Sequence, residues 1–158
     1  LRAALAGVAQ SGDPTALDAP EVATARRTIG KAVHDGCGAK AVEIGAVEYR
    51  YKGVPATLSA GRVSFALHNE GVEEHEMVLF RRAEGVDESL DQLLDLPQDQ
   101  VMQKLAFTGV AFGAPHTTDY VTADLAPGTY FLVCFLPQGG HDGPPHFLGG
   151  MRETIVVS

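Results

Sequence analysis

From Ala41 the apolar positions recur with a period of two. Val42, Ile44 and Ala46 fall on one side, then Val47, Tyr49 and Tyr51, with the parity slipping once as at a bulge, which predicts a first strand. GVPATLSAG reads as a turn, and RVSFALHN sets Val63, Phe65 and Leu67 inward against Ser64, Ala66 and His68, the pattern of a half-buried strand. NEGVEE is a further turn before HEMVLFRR, a denser β run. TTDYVTADL alternates again and APG turns the chain tightly. TYFLVCF puts Tyr130, Leu132 and Cys134 on one face, and MRETIVVS closes the chain as a last strand.

Two stretches keep helical spacing instead. In residues 1–36, Asp18 precedes Pro20 near a first turn, Val22, Ile29 and Val33 follow at helix-compatible positions, and Gly36 is a stop. In residues 87–106, Leu90, Leu93 and Leu94 and then Val101, Met102 and Leu105 predict two short helices separated by Pro97. Short strands, Gly/Pro turns and no βαβ rhythm predict an all-β, antiparallel Greek-key sandwich. Residues 1–40 form an N-terminal helical arm and linker, residues 41–158 the sandwich, and 87–106 a helical insertion within it.

Length and charge narrow the picture. A chain of 158 residues suits one domain with a real core. Twenty acidic against twelve basic residues give a net charge of −8 with no Lys/Arg stripe, which disfavours nucleic acid and anionic membranes. The longest apolar runs, such as LAFTGVAF, fall short of the roughly twenty residues that cross a bilayer. LRAALAGVAQ is apolar, Ala-rich and without an initiator Met, and reads as the trimmed end of an export or anchoring segment or as a frayed helix end.

The chemistry concentrates in CFLPQGGHDGPPHFLGGM, residues 134–151, where a thiol, two imidazoles and a thioether share one Pro- and Gly-rich run after a strand. His75 opens a strand after a turn, Cys134 ends one, and His146 and Met151 follow with H-x4-M spacing. A trigonal His₂Cys set with a weak axial Met is the ligand set of a blue-copper site. His141 is an alternative second histidine, with C-x6-H-x9-M spacing.

NEGVEEHEMVLF, PGTYFLVC and PHFLGGM together resemble the cupredoxin family, the plastocyanin/azurin-like type 1 blue copper proteins, over residues 41–158. The resemblance implies one type 1 copper, with His75, Cys134 and His146 as equatorial ligands, Met151 as the axial one and the Glu74 carbonyl as a weaker fifth candidate. The C-x11-H-x4-M loop is longer than in the small electron carriers of the family, which keeps His141 in play. No His-Cys-His motif flanks Cys134, so the resemblance implies an electron carrier that cycles between Cu(II) and Cu(I), not an oxidase or other enzyme. It further implies an exported monomer, periplasmic, extracellular or tethered to the membrane through a segment before Leu1. Its partner would be a redox protein docking on the apolar loop at Pro144, Phe147 and Leu148.

Competing readings are a copper-trafficking or storage module built from the same donors and a metal-free interaction sandwich. A Cys37–Cys134 disulfide would favour the latter, but the family topology puts the two cysteines at opposite ends of the barrel, beyond the Cα separation a disulfide tolerates. Glu73, Glu74 and Glu76 flank His75 and, if exposed, would favour the oxidised cation and repel acidic partners. Among the remaining histidines, His34 reads as a helix-terminal residue facing the dipole, His68 as a surface residue and His116 as a loop residue. HDGC, residues 34–37, is a weak metal motif without a second pair, and Tyr49, Tyr51 and Tyr130 read as structural.

Overall fold

A computed structural model describes residues 20–36 and 38–158. Asp18, the LRAALAGVAQ segment and Cys37 lie outside the described residues. Helix α1 spans Pro20–Gly36, and strands follow at β1 Lys40–Val47, β2 Arg50–Lys52, β3 Thr57–Leu58, β4 Gly61–Asn69 and β5 His75–Arg82. Helices α2 Leu90–Leu94 and α3 Gln98–Lys104 lead into β6 Leu105–Gly113, β7 Thr118–Leu125, β8 Gly128–Val133 and β9 Arg152–Val157, with a 3₁₀ turn at His146–Gly149.

The strands form the expected sandwich, a four-stranded sheet ordered β2-β1-β4-β7 facing a five-stranded sheet ordered β3-β9-β8-β5-β6. Between them lie Ile44, Phe65, Leu67, Met77, Leu79, Leu132 and Ile155, all fully buried. The sheets are mixed and not purely antiparallel, because β1 pairs with β4 and β3 with β9 in parallel. After β2 the chain crosses to the other sheet as β3 and returns as β4 running in the direction of β1. Alternation of apolar residues sets which face is buried but carries no information on strand direction.

Three sequence expectations are corrected locally. The parity slip near Val47 is a hairpin turn, since β2 pairs antiparallel with β1 from Val47 opposite Arg50. GVPATLSAG holds the short strand β3 besides its turns. Leu105 opens β6 and does not end a helix. That strand escapes a period-two reading because Leu79 faces Gly109 while Phe80 faces Phe107, so Thr108 is a bulge that resets the alternation.

Strands β5 and β8 read as nearly continuous apolar runs because both faces are covered. Met77, Leu79, Tyr130 and Leu132 enter the main core, whereas Val78, Phe80, Phe131 and Val133 pack beneath α2 and α3 with Leu90, Leu93 and Leu105. The helical insertion thus roofs the outer face of the five-stranded sheet. Helix α2 is started by Ser89 and Gln92 in a reciprocal capping box.

Helix α1 packs across the outer face of the other sheet. Its Arg26 Nη2 donates to Asp119 Oδ2 at 2.9 Å, and that buried carboxylate also accepts from the Phe112 amide. His34 lies in the last turn of α1, as its helix-terminal reading expects, but it is also tied to the sheet. It is buried, with Nδ1 3.2 Å from Ser64 Oγ and Nε2 2.8 Å from Glu43 Oε1. His68 is half-buried and contacts Thr118 and the other Glu43 oxygen, while His116 is exposed.

Gly30 lets the helix approach closely, since a Cβ there would lie 2.6 Å from Tyr120 Cβ. Gly30→Val is therefore expected to lift α1 from the sheet at a cost of about 1–3 kcal/mol, seen as faster amide exchange in α1 with the β strands still protected. A separate tie between helix and sheet, the Glu43 carboxylate with His34 and His68, is pH-dependent. His68 and then His34 hold the Glu43 carboxyl below its ordinary value of 4.5. A depressed carboxyl contributes stability that is present above that value and lost as pH falls through the folded one. Glu43→Gln should therefore flatten the acid limb of stability below about pH 4.5, and an unchanged limb in acid titrations followed by circular dichroism would contradict the assignment.

Candidate metal centre

The turn NEGVEE is fixed from within. Asn69, buried at the end of β4, donates through Nδ2 to the carbonyls of Glu73 and Gly113, each at 2.7 Å, and accepts from the Gly71 amide at 2.9 Å. Glu48 closes the other side by accepting the amides of Val72 and Glu73. His75 therefore starts β5 with its ring already directed into the end of the sandwich.

The second wall is the chain from Cys134 to Met151. Its backbone is tied by Cys134 N–H to the Met151 carbonyl at 3.1 Å, Phe147 N–H to the Cys134 carbonyl at 3.0 Å and His146 N–H to the Leu136 carbonyl at 2.8 Å. The 3₁₀ turn at His146–Gly149 ends on Gly150, whose φ of +116° favours glycine and turns the chain back into β9. Both ends of the Pro- and Gly-rich loop are thus tied to each other by backbone hydrogen bonds.

His75, Cys134 and His146 meet there, all fully buried, with one ligand atom from each within 4.8 Å of the others. His75 Nδ1 lies 3.2 Å from His146 Nδ1, which lies 3.3 Å from Cys134 Sγ. Met151 is also fully buried, and its amide donates to the His146 carbonyl at 3.2 Å, so its backbone borders the same cluster. His141 is exposed on the loop and outside the cluster, and Glu74 is exposed beside His75. Cys134 is a free thiol.

The outward ring atoms meet carboxylates that the sequence did not single out for this task. His146 Nε2 is 3.2 Å from Glu73 Oε2 and His75 Nε2 is 3.5 Å from Glu48 Oε1. Glu73 holds the His146 ring by hydrogen bonding at Nε2, while Glu48 only approaches His75 Nε2, which has no hydrogen bond; both rings turn Nδ1 inward, the arrangement in which an imidazole offers its lone pair to a shared centre. Tyr49, read as purely structural, covers the His146 ring at a centroid distance of 4.6 Å and donates its hydroxyl to Glu73. Glu73 and Glu76 are not the open acidic fringe the sequence suggested. Glu73 is engaged by Tyr49, His146 and the Gly139 amide, and Glu76 is buried with Oε1 accepting the Phe135 amide.

Burial, reinforced by the neighbouring His146, lowers the pKa of His75 and favours the neutral ring. Burial pushes the Cys134 thiol up to about 11, although the Glu76 amide donates to Sγ at 3.4 Å. The Glu73 amide, with that of Val72, holds the Glu48 carboxyl down at about 2. Two imidazoles facing a thiol, walled by carboxylates, fit a single soft or borderline cation that displaces the thiol proton.

No protein-family model and no curated protein matches the sequence. Solved structures do resemble the chain. Dithionite-reduced auracyanin from the photosynthetic bacterium Roseiflexus castenholzii is 21% identical, with a TM-score of 0.51 over 77% of this chain and 99% of that one. Auracyanin A, a "blue" copper protein from the green thermophilic photosynthetic bacterium Chloroflexus aurantiacus, is 22% identical, with a TM-score of 0.51 over 77% of this chain and 100% of that one.

Proposed function

Starting from the cupredoxin fold that these likenesses establish, we propose that the chain is a type 1 copper protein that carries single electrons between redox partners. The observation that carries this reading is the convergence of His75 Nδ1, His146 Nδ1 and Cys134 Sγ at the buried end of the sandwich. His75, Cys134 and His146 are the equatorial ligands and Met151 the axial one, with His146 rather than the exposed His141 as second histidine. Copper held by this set supplies one-electron chemistry.

The chain's own part is to hold still. Asn69 and Glu48 fix the His75 turn, the bonds between Cys134, Phe147 and Met151 fix the loop, and the Glu76 amide on Sγ steadies the thiolate. Rigid donors change little between two oxidation states, which favours electron transfer over bond-making chemistry. Complete burial of all four side chains favours a carrier over a trafficking or storage module, because handover needs an accessible ligand to exchange.

The partner surface of this reading is the loop beside His146, where Val72, Phe135 and Leu148 are exposed. Pro144 is exposed there too, whereas Phe147 is half-buried against the helical insertion. With Glu73 beside the His146 ring and a net charge of −8, the fitting partner has an apolar contact face with a basic rim. The protein acts as an exported monomer in this reading, and among the described residues no helix is long and apolar enough to cross a membrane.

Voltammetry of the copper-loaded chain separates the readings. A carrier gives one reversible one-electron couple with bound copper retained through repeated cycles. Loss of copper in the reduced state would overturn the carrier reading in favour of handover.

A further inference from the structure

Between α2, α3 and the outer face of β5 and β8 lies a cleft of about 540 Å³. That size is within the range of about 300–1,000 Å³ typical of small-molecule sites. Its walls are almost wholly apolar, with Leu93 at the back and the half-exposed Met102 at the mouth. Phe80, Phe135 and Phe147 line one side edge to face, with ring centroids 6.2 Å apart for Phe80–Phe135 and 5.6 Å for Phe135–Phe147.

One acidic group breaks this apolar lining. Glu76 is 8% exposed, and only its Oε1 has a hydrogen bond among the described residues, from the Phe135 amide at 2.9 Å. Oε2 has none, and unlike His75 Nε2 or Asp119 Oδ1 it is not sealed from solvent, which reaches it where Glu76 borders the cleft. A carboxyl oxygen with no protein donor, in a side chain otherwise buried, is open to a hydroxyl that takes the place of solvent there. The aromatic wall favours a ring, the free oxygen asks for a hydroxyl donor, and the chain's charge of −8 disfavours an anion.

We propose that this cleft is a binding site for a neutral hydroxylated aromatic molecule of the phenol or quinol class, seated among the three phenylalanines with its hydroxyl on Glu76 Oε2. Glu76 follows His75 in the chain and its amide donates to Cys134 Sγ, so the guest is one residue removed from the donor cluster. Binding itself requires no metal, and its failure leaves the copper reading intact.

The test is titration of the metal-free full chain with 2-naphthol and with naphthalene, followed by probe fluorescence and by amide shifts in NMR. The expected result is one saturable site, with 2-naphthol bound about three- to tenfold more tightly, the worth of one net hydrogen bond. Met102→Trp at the half-exposed mouth should weaken both probes about tenfold or more by occluding the cleft, and Glu76→Leu should erase the preference for the hydroxyl. Absence of saturable binding, binding untouched by Met102→Trp, or a hydroxyl preference that survives Glu76→Leu would each overturn the proposal. Should Glu76→Leu fail to fold, the two probes on the parent chain and on Met102→Trp still decide it.

Discussion

Cys134→Ser is expected to abolish the intense visible absorption of the copper-loaded protein and to weaken copper binding by more than about 100-fold, since loss of a mere supporting partner already costs about 10–100-fold. The residue follows β8 with its side chain fully buried beside His146 Nδ1 and beneath the Glu76 amide. Serine is close in size, so the surrounding bonds of the Met151 and Phe147 backbone persist and the fold is kept. What changes is the donor, from a polarisable thiolate to a hydroxyl that does not ionise at neutral pH. In the parent chain the thiol, raised to about 11, must give up its proton to the solvent when copper enters. Copper affinity should therefore rise with pH up to that value in the parent and lose that dependence in Cys134→Ser. Retention of the band by the variant would mean that the absorbing metal lies elsewhere.

Phe65→Ala is expected to cost the metal-free protein about 3–5 kcal/mol, a large part of the roughly 5–15 kcal/mol that a domain commands. Phe65 is fully buried at the middle of β4, between β1 and β7, and faces the residues of the opposite sheet. No smaller side chain fills that space without a shift of both sheets, and the site draws on both. His75 opens β5 and Cys134 directly follows β8, both in the five-stranded sheet, whereas Asn69, which fixes the turn before His75, ends β4. Copper binds only the folded state and should restore much of the lost stability by mass action. Paired denaturation curves of the metal-free and copper-loaded variant check this, and a loss below about 1 kcal/mol would contradict the placement of Phe65 at the core.

The strands were legible where one face meets the core and the other meets solvent or a thin cover. TTDYVTADL is the plain case, with Val121 and Leu125 buried where alternation puts them, whereas RVSFALHN has its inward face right at Val63, Phe65 and Leu67 but is not half-buried, because Ser64 and Ala66 on its other face are buried too. The alternation failed where a second layer or an extra residue intervened. The bulge at Thr108 hid β6, and the two-residue turn after Val47 passed for a bulge. The direction of pairing was invisible because the crossing through β3 is a property of the whole chain.

Donor types and order were legible because Cys134, His146 and Met151 lie in one short run and His75 opens a strand. Their support was not. Glu48 and Tyr49 reach the turn before His75 across 24 or 25 residues of chain and have no spacing that marks them, whereas Asn69 lies four residues from the Glu73 carbonyl it holds. An Asn before a Gly-containing turn that ends in His was the one available hint for Asn69. The partners of His34 were missed for the same reason, since Ser64 and Glu43 come from two different strands.

The account rests on one copper ion held by His75, Cys134, His146 and Met151, and X-ray absorption at the copper edge of the loaded chain tests it most directly. One equivalent of copper with a single short sulfur, two imidazole nitrogens and a longer, weaker sulfur is the predicted coordination. A shell of nitrogen and oxygen alone, or a sulfur contribution that survives in Cys134→Ser, would contradict it.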